Sequence, residues 1–326
     1  MQKSLDSSIL NIEGVSELTA EDKELFDKFY KNEDSVDFSN SWFYTIQSTI
    51  FGAYKYYDGK TLISFTTKTP EETLFSITAY LGKNALEKAF DLAKELKKTS
   101  KKQVVFKNLT SEQSEKLKKL GCEDYRKGDY WNNFYKYDDD TFPEIIIDLQ
   151  ELVPLKGNDL KTLRYRVNSF YKNDYKVEDY SAKYSKDVSE ILTDWLELIK
   201  DRYKDYLKED KIILHSAEIH KKFLELIDSG KADDYLSKII FLNKKPVAFA
   251  IGYKISSKTF GLYTNVTSND DVKGLSETII YELLKEAHEK GYVYANLGGS
   301  EFKSLLKYKD KFKPTKHLQK THVVLY

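Results

Sequence analysis

The order of predicted elements in the last third of the chain constrains its fold more than any other feature. The two strands of a hairpin are predicted at SKIIFLN and PVAFAIGYK, and a third strand is predicted at KTFGLYTNV. An amphipathic helix is predicted at VKGLSETIIYELLKEAHEKG, and a further strand that ends in two glycines at YVYANLGGS. Antiparallel strands followed by a helix and one more strand predict a mixed sheet with helices packed on it.

The first half of the chain repeats this alternation of strands and helices. Strands are predicted at FGAYKYY and TLISFTT, joined by a turn at Asp58-Gly59. A helix is predicted at NALEKAFDLAKELKK and a buried strand at QVVFKNL. Because both halves share one order, we predict two copies of one architecture without detectable sequence identity. The predicted fold class is α/β (α+β), with two tandem domains that each hold a mixed sheet flanked by helices.

The chain length and the composition of one segment predict the domain boundaries. A chain of 326 residues exceeds one typical domain, and two domains of roughly 150 residues each are expected. The expected linker is DDDTFPEIIIDLQELVPLKG, which gathers acidic residues and prolines, although its IIIDL run is itself typical of a strand. We predict an N-terminal domain at residues 1–140 and a C-terminal domain at residues 141–326.

Charge and cysteine content exclude several classes of protein. Lys+Arg and Asp+Glu both number 52, so the net charge is zero and no global field attracts DNA or an acidic membrane surface. The single cysteine, Cys122, excludes an intrachain disulfide and a Cys-rich metal site, and the five histidines lack evident metal-ligand partners. No uncharged apolar run of about 18 residues occurs. We therefore expect no metal site, no transmembrane segment and a cytoplasmic location.

The start of the long helix is the first group of residues that could carry chemistry. Lys273, Gly274, Leu275 and Ser276 combine a glycine with free amides at a helix N-terminus, an arrangement that can bind an anion. Asp270 and Asp271 lie just upstream, where they oppose an anion or cap the helix themselves. An ordinary acid-capped helix is therefore the alternative interpretation.

The second group lies at the end of the last long predicted strand. Asn296 precedes Gly298 and Gly299, and glycines at a strand end allow a ligand to approach the backbone closely. Tyr308 and Lys309 follow shortly afterwards, and a lysine there could neutralise a phosphate or an oxyanion. We expect Lys309 to be an exposed cation held over a cleft. The alternative is a solvated lysine in a lysine-rich run.

The third group is a basic flank on the helix predicted at LKGNDLKTLRYRVNSFYKNDY. Lys161, Arg164, Asn168 and Lys172 share one side of this helix beside its apolar stripe. Such a flank could hold a phosphate. A solvated basic face is the alternative, because lysine-rich faces occur throughout the chain.

The order of elements resembles that of GCN5-related acyltransferases of the double-domain type. The glycine strand end followed by Tyr308, Lys309 and Phe312 resembles two groups of these, the phosphatidylglycerol lysyltransferase C-terminal domain family and the Fem-type peptidoglycan-bridge aminoacyltransferases. The resemblance implies catalytic roles for Lys309, Tyr308 and Asn296. It also implies donor binding by Lys273, Gly274, Leu275, Ser276, Gly298 and Gly299, and substrate or phosphate binding by Lys161, Arg164, Asn168 and Tyr263.

By this resemblance we expect an acyltransferase or aminoacyltransferase with a degenerate N-terminal copy. The favoured donor is aminoacyl-tRNA, and the acceptor is an amine or hydroxyl of a small-molecule, lipid-linked or peptide substrate. A neutral chain would need a local basic groove for tRNA, for which Lys161, Arg164, Lys172 and Lys309 are candidates. No tightly bound cofactor is expected. The alternatives are an enzyme that uses coenzyme A or acetyl-coenzyme A as co-substrate, and a binding module that kept the fold and lost catalysis.

Overall fold

The computed structural model divides the chain into two compact units. The first unit comprises Met1–Trp131 and Gln319–Tyr326, and the second comprises Asn132–Leu318. The structure describes residues 8–30, 35–47, 52–67, 74–125, 143–203, 211–268, 271–300 and 303–326.

The strands of the described residues form two sheets of seven strands each. The strands of the first unit are β1 (Val15–Glu17), β2 (Ala53–Tyr57), β3 (Thr61–Thr66), β4 (Leu74–Gly82), β5 (Gln103–Leu109), β6 (Glu123–Asp124) and β14 (Thr321–Leu325). Those of the second unit are β7 (Glu144–Asp148), β8 (Tyr175–Glu178), β9 (Tyr235–Leu242), β10 (Lys245–Lys254), β11 (Thr259–Thr267), β12 (Tyr294–Asn296) and β13 (Lys316–Leu318).

Helices accompany both sheets. In the first unit they are α1 (Lys23–Tyr30), α2 (Trp42–Gln47), α3 (Ala85–Ser100) and α4 (Ser111–Lys119). In the second unit they are α5 (Leu149–Leu152), α6 (Lys161–Phe170), α7 (Ser185–Tyr203), α8 (Lys211–Asp228), α9 (Leu275–Glu289) and α10 (Lys303–Lys309). Within the described ranges, none of these helices has both the length and the apolar character that crossing a bilayer requires.

The two sheets correspond strand for strand. Their orders are β1-β2-β3-β4-β5-β14-β6 and β8-β9-β10-β11-β12-β7-β13. In each sheet the only parallel pair within the described residues joins the fourth and fifth positions, β4 with β5 and β11 with β12. One long helix, α3 or α9, connects the two strands of each parallel pair, as a parallel connection requires. The predicted duplication of a mixed α/β architecture is confirmed.

The sixth position of each sheet is filled by a strand from outside the local chain order. In the first sheet it is β14, the C-terminal strand, which pairs with β5 and β6. In the second sheet it is β7, which lies in the predicted linker and pairs with β12 and β13. The predicted second domain, 141–326, begins nine residues after the start of the observed second unit, and at its other end it includes eight residues that belong to the first unit. Burial of Val323 and Val324 explains the difference at this end, because both side chains are fully enclosed in the first sheet.

Helix α9 shows how local sequence positions the second unit. It begins after Gly274 and ends before Gly291, and both glycines have a left-handed backbone. Ile279 and Leu283 on its inner face are fully buried in the core of the second unit. A Cβ atom at Gly274 would lie 2.1 Å from the backbone oxygen of Arg166 in α6. Glycine is therefore what allows the start of α9 to approach α6 so closely.

Candidate functional site

The two parallel strands of the second sheet separate soon after they begin. β11 and β12 pair only from Thr259 opposite Tyr294 to Gly261 opposite Asn296. β11 then continues for six residues, whereas the chain after β12 stays with β7. The amide of Leu297 donates to the oxygen of Ile145 at 2.9 Å. A gap therefore opens between β11 and the chain that follows β12.

A cavity of about 400 Å³ lies at this gap. Half of the twelve residues that line it have polar side chains, and these are His220, Tyr263, Thr264, Asn265, Tyr308 and Lys309. The other half have apolar side chains, and these are Trp195, Ile219, Leu262, Ile280, Leu297 and Leu305. Helices α7, α8, α9 and α10 all supply side chains, so the site is built by the second unit around the strand opening.

A β-bulge on β11 shapes the wall of this cavity. Gly252 on β10 pairs with Leu262, and the preceding Ile251 pairs with Thr264, so Tyr263 has no opposite partner in the ladder. A bulge breaks the strict alternation of faces along a strand. The consecutive residues from Leu262 to Asn265 can therefore all reach the cavity lining.

Lys309 is held in the cavity wall by the glycine strand end. Its Nζ donates to the oxygen of Gly298 at 3.2 Å and to that of Gly299 at 2.5 Å. Only 9% of the residue is exposed, so the expectation of an exposed lysine was wrong. The reason is that Gly298 has a left-handed backbone, and the turn it makes presents two successive carbonyl groups to one ammonium.

Tyr308 connects the cavity to the start of α9. Its hydroxyl lies 2.6 Å from Oγ of Ser276, and Nδ2 of Asn265 donates to the same Oγ at 3.2 Å. Burial and the nearby Glu277 carboxylate raise the pKa of the Tyr308 hydroxyl. The hydroxyl therefore stays protonated at neutral pH and is a hydrogen-bond donor rather than a base.

Asn296 lies behind the cavity rather than in its lining. It is fully buried, its Nδ2 donates to Oε2 of Glu144 at 2.6 Å, and its Oδ1 accepts from the amide of Gly298 at 2.8 Å. These bonds fix the turn that carries Gly298 and Gly299. The structure thus brings Tyr308, Lys309 and the two glycines together, with Asn296 as their support.

Only Ser276 of the predicted donor-binding turn joins this network. Leu275 is in the core, and Lys273 donates to the hydroxyl of Tyr165 at 2.7 Å while lying over its ring. The first turn of α9 already contains a buried carboxylate, Glu277, paired with Lys311 at 2.8 Å. Asp271 is exposed. Asp270 lies outside the described residues.

The predicted basic flank on α6 does not line the cavity. Nη1 of Arg164 donates to the oxygens of Leu155 at 2.6 Å and Gly157 at 3.0 Å, so this guanidinium braces the preceding loop. Lys161 and Asn168 are exposed on the helix surface. Of the predicted substrate-binding residues in the described ranges, Tyr263 alone lies in the cavity wall.

His220 is a cavity residue that was not predicted from the sequence. Its five-residue separation from His215 is poor for binding one metal ion, so the sequence indicated no role for it. It shares one face of α8 with Phe223 and Ile227, both buried. A histidine on the apolar face of a helix was the signal that could have found it. In the described residues, no cluster of three or more His, Cys, Asp or Glu is arranged to hold a metal.

The first sheet has the same bulge at the equivalent place. Phe65 on β3 pairs with Ile77, and the preceding Ser64 pairs with Ala79, so Thr78 is unpaired in the ladder. The unpaired residues Thr78 and Tyr263 correspond, so the residues before them, Ile77 of β4 and Leu262 of β11, correspond as well. The first residues of the two parallel pairs, Leu74 and Thr259, give the same alignment.

The equivalent opening in the first sheet is bridged by a tyrosine. By the same alignment Tyr80 on β4 corresponds to Asn265 on β11. The Tyr80 hydroxyl lies 3.0 Å from the oxygen of Ile77 and 3.1 Å from that of Lys107, so its side chain spans β4 and β5. The second unit has a shorter asparagine there and an open cavity.

Comparisons with known proteins agree with this duplicated fold. A conserved protein of unknown function from Bacteroides thetaiotaomicron VPI-5482 superposes with a TM-score of 0.76 at 16% identity, over 96% of this chain and 99% of that chain. L-PGS from Bacillus licheniformis superposes with a TM-score of 0.61 at 14% identity, over 95% of this chain and 92% of that chain. FemX superposes with a TM-score of 0.62 at 14% identity, over 95% of this chain and 96% of that chain.

These structural likenesses establish the fold, and the predicted tandem GCN5-related architecture is confirmed. No curated protein matches the chain in sequence. The family described as phosphatidylglycerol lysyltransferase, C-terminal, matches residues 30–323, which is nearly the whole chain. The chain therefore belongs to the phosphatidylglycerol lysyltransferase C-terminal family.

Proposed function

We propose that the second unit transfers an activated aminoacyl group to an amine or hydroxyl acceptor. The observation that carries this proposal is the position of Lys309, whose Nζ lies at the Gly298-Gly299 strand end in the wall of the cavity. The family name, which specifies a lysyltransferase, favours an aminoacyl group over other acyl groups.

The chemistry of acyl transfer fits this wall. Attack on the acyl carbonyl forms a tetrahedral intermediate, whose oxyanion is stabilised by positive charge or by N–H donors. The Lys309 ammonium supplies positive charge beside apolar side chains, where electrostatic stabilisation is stronger than in water. The protonated hydroxyl of Tyr308 can donate a further hydrogen bond. The apolar lining restricts water, which would otherwise hydrolyse the activated acyl group.

Aminoacyl-tRNA is the donor we favour over an acyl-coenzyme A. A coenzyme A pyrophosphate would need open amides at the start of α9, where the Glu277 carboxylate is already buried. Close approach of Gly274 to the α6 backbone further limits access to this turn. An acyl-coenzyme A donor is the second candidate, because the glycine at the helix start is the feature that such a site uses.

A binding module without catalysis is the third candidate. The contrast between the two units argues against it, because Tyr80 spans the opening of the first sheet whereas Asn265 leaves the second open. The acceptor in our proposal is a small-molecule, lipid-linked or peptide amine or hydroxyl. Because aminoacyl-tRNA is made in the cytoplasm, we place the reaction there.

A donor screen tests the proposal. The protein is incubated separately with tRNA charged with each of several labelled amino acids, and with labelled acetyl-coenzyme A. Phosphatidylglycerol vesicles and lysine-containing peptides are supplied as acceptors. We expect protein-dependent label in an acceptor from at least one aminoacyl-tRNA. Calorimetry should give a coenzyme A dissociation constant weaker than roughly 10 μM, about −7 kcal/mol. Label from acetyl-coenzyme A alone would establish the second candidate instead.

A further inference from the structure

Three elements of the second unit place a histidine against a buried threonine in the cavity wall. Nδ1 of His220 on α8 lies 3.0 Å from Oγ1 of Thr264 on β11, and only 1% of Thr264 is exposed. The indole of Trp195 on α7 meets the imidazole edge-on, with ring centroids 5.2 Å apart and planes at 70°. The threonine and the indole together fix the orientation of the imidazole ring.

The surroundings of His220 keep its ring uncharged. Desolvation lowers the pKa of the imidazole to about 4, so at neutral pH one ring nitrogen holds a proton and the other holds a lone pair. Nδ1 is engaged by Thr264. Nε2 has no partner among the described residues, and it is the ring nitrogen left to meet a ligand in the cavity.

The other polar groups in the wall are poor proton acceptors. The pKa of the Tyr308 hydroxyl is raised, amide nitrogens such as that of Asn265 are not basic, and Nζ of Lys309 donates to two backbone oxygens. Of the lining side chains that the structure describes, His220 alone has a lone pair on a neutral ring nitrogen. Acyl transfer to an amine or hydroxyl requires such an acceptor, because the nucleophile must lose a proton.

We propose that His220 is the proton acceptor of the acyl transfer, with Nε2 as its basic atom and Thr264 holding the ring in the Nδ1–H tautomer. This inference rests on the proposed function. The nucleophile's nitrogen or oxygen forms a bond to the acyl carbon, and the bond from that carbon to the donor's ester oxygen breaks. The proton moves from the nucleophile to Nε2 and then to the leaving oxygen. Nothing is oxidised or reduced, and His220 ends as it began.

Kinetics with the donor and acceptor found by the screen test the role of the ring. We expect His220→Gln to lower kcat about 100-fold or more, because general base catalysis contributes that much, with KM changed little. His317→Gln is the matched control, since His317 is an exposed histidine paired with Asp310 outside the cavity. Wild-type activity in His220→Gln would overturn this inference while leaving the proposed function standing.

Nitrogen NMR tests the tautomer and needs no donor. The full chain is labelled with ¹⁵N-histidine, and the His220 signals are assigned by their loss in His220→Gln. We expect the Nδ1–H tautomer at pH 7, and a mixture of tautomers in Thr264→Val but not in Thr264→Ser. An Nε2–H tautomer in the wild type would overturn the inference, because Nε2 would then lack the lone pair. Failure of every donor in the screen would instead contradict the proposed function.

Discussion

A neutral imidazole in the cavity wall makes the stability of the second unit depend on pH. The pKa of His220 is lowered to about 4 in the folded protein, against an ordinary value of 6.5. Between these values the unfolded chain binds the proton and the folded chain does not, so acid favours unfolding. The stability contributed by neutral His220 is complete above pH 6.5 and is lost as the pH falls toward 4.

We therefore expect acid to destabilise the wild type more than His220→Gln. Between pH 7 and pH 4 the extra loss of unfolding free energy should be on the order of 2 kcal/mol, allowing for solvent that reaches the partly exposed ring. Urea denaturation of both proteins at the two pH values measures it. His317→Gln should behave as the wild type does. Equal losses of unfolding free energy in all three proteins would mean that folding does not lower the pKa of His220.

At the scale of single residues, chemistry was easier to predict than environment. Tyr308 and Lys309 were found from their place after a glycine strand end, and both line the cavity. The burial of Lys309 was missed, because the carbonyls that bind it belong to residues 298 and 299 and their direction depends on a left-handed turn. His220 was missed because its partners, Thr264 and Trp195, are distant in sequence.

At the scale of elements, the contact between α9 and α6 depends on one glycine. A side chain at Gly274 would meet the Arg166 backbone, which cannot move aside as a flexible side chain could. Gly291, at the other end of α9, also has a left-handed backbone but has open space around it. Alanine would therefore be strained by the left-handed backbone at both positions, but only at Gly274 would its Cβ atom also clash with a neighbour.

We expect Gly274→Ala to destabilise the protein much more than Gly291→Ala. The left-handed backbone alone should cost each variant about 1 kcal/mol, and the clash should add at least about 2 kcal/mol at Gly274. Thermal and urea unfolding of the two variants measure the difference. Equal unfolding free energies would show that α6 and α9 can separate without cost.

Tyr80 and Asn265 occupy equivalent positions at the two strand openings. We expect Asn265→Tyr to fill the second opening as Tyr80 fills the first, and so to abolish donor binding while the fold is kept. Circular dichroism checks the fold, and calorimetry with the donor from the screen checks binding. Asn265→Ala is the control, because it removes the same hydrogen bond to Ser276 without filling the cavity. Undiminished binding in Asn265→Tyr would place the donor elsewhere.

Elements were predictable where one segment carries its own signal. The hairpin of β9 and β10, the amphipathic face of α9 and the turn at Asp58-Gly59 all follow from local spacing and turn residues. For the IIIDL run of the expected linker, the alternative of a strand that completes a sheet is the one observed, as β7, but its partner strands did not follow from the sequence. β7 pairs with β12 and β13, which lie about 150 or more residues later in the chain. The local sequence of a strand does not specify partners at such a separation.

At the scale of the whole molecule, the first sheet contains a strand from the C-terminal end of the sequence, β14. β14 enters the first sheet between β5 and β6, with Thr321 opposite Leu109 and Leu325 opposite Val104. This membership could not be predicted, because THVVL is a short apolar run that indicates a strand but does not specify a partner. The folded first unit therefore requires the C-terminal residues.

We expect deletion of residues 319–326 to weaken the first unit. The loss of β14 leaves one edge of β5 unpaired, because β4 pairs only with its other edge, and exposes the apolar surface that Val323 and Val324 cover. Hydrogen exchange should show faster exchange of the amides in β5 and β6, with β9 and β10 protected as before. Val323→Asp in the full-length chain should have the same pattern. Unchanged protection of β5 would mean that β14 contributes little to this sheet.

The central claim is that Lys309, at the glycine strand end of the second unit, stabilises the oxyanion of acyl transfer. The most direct test is the turnover of Lys309→Met, which keeps most of the side-chain stem and removes the charge, with its thermal stability measured in parallel. We predict a kcat about 100- to 1,000-fold below that of the wild type. Lys311→Met, which loses an ion pair with Glu277 outside the cavity, should keep its turnover where it stays folded. Equal turnover of Lys309→Met and the wild type would contradict the claim.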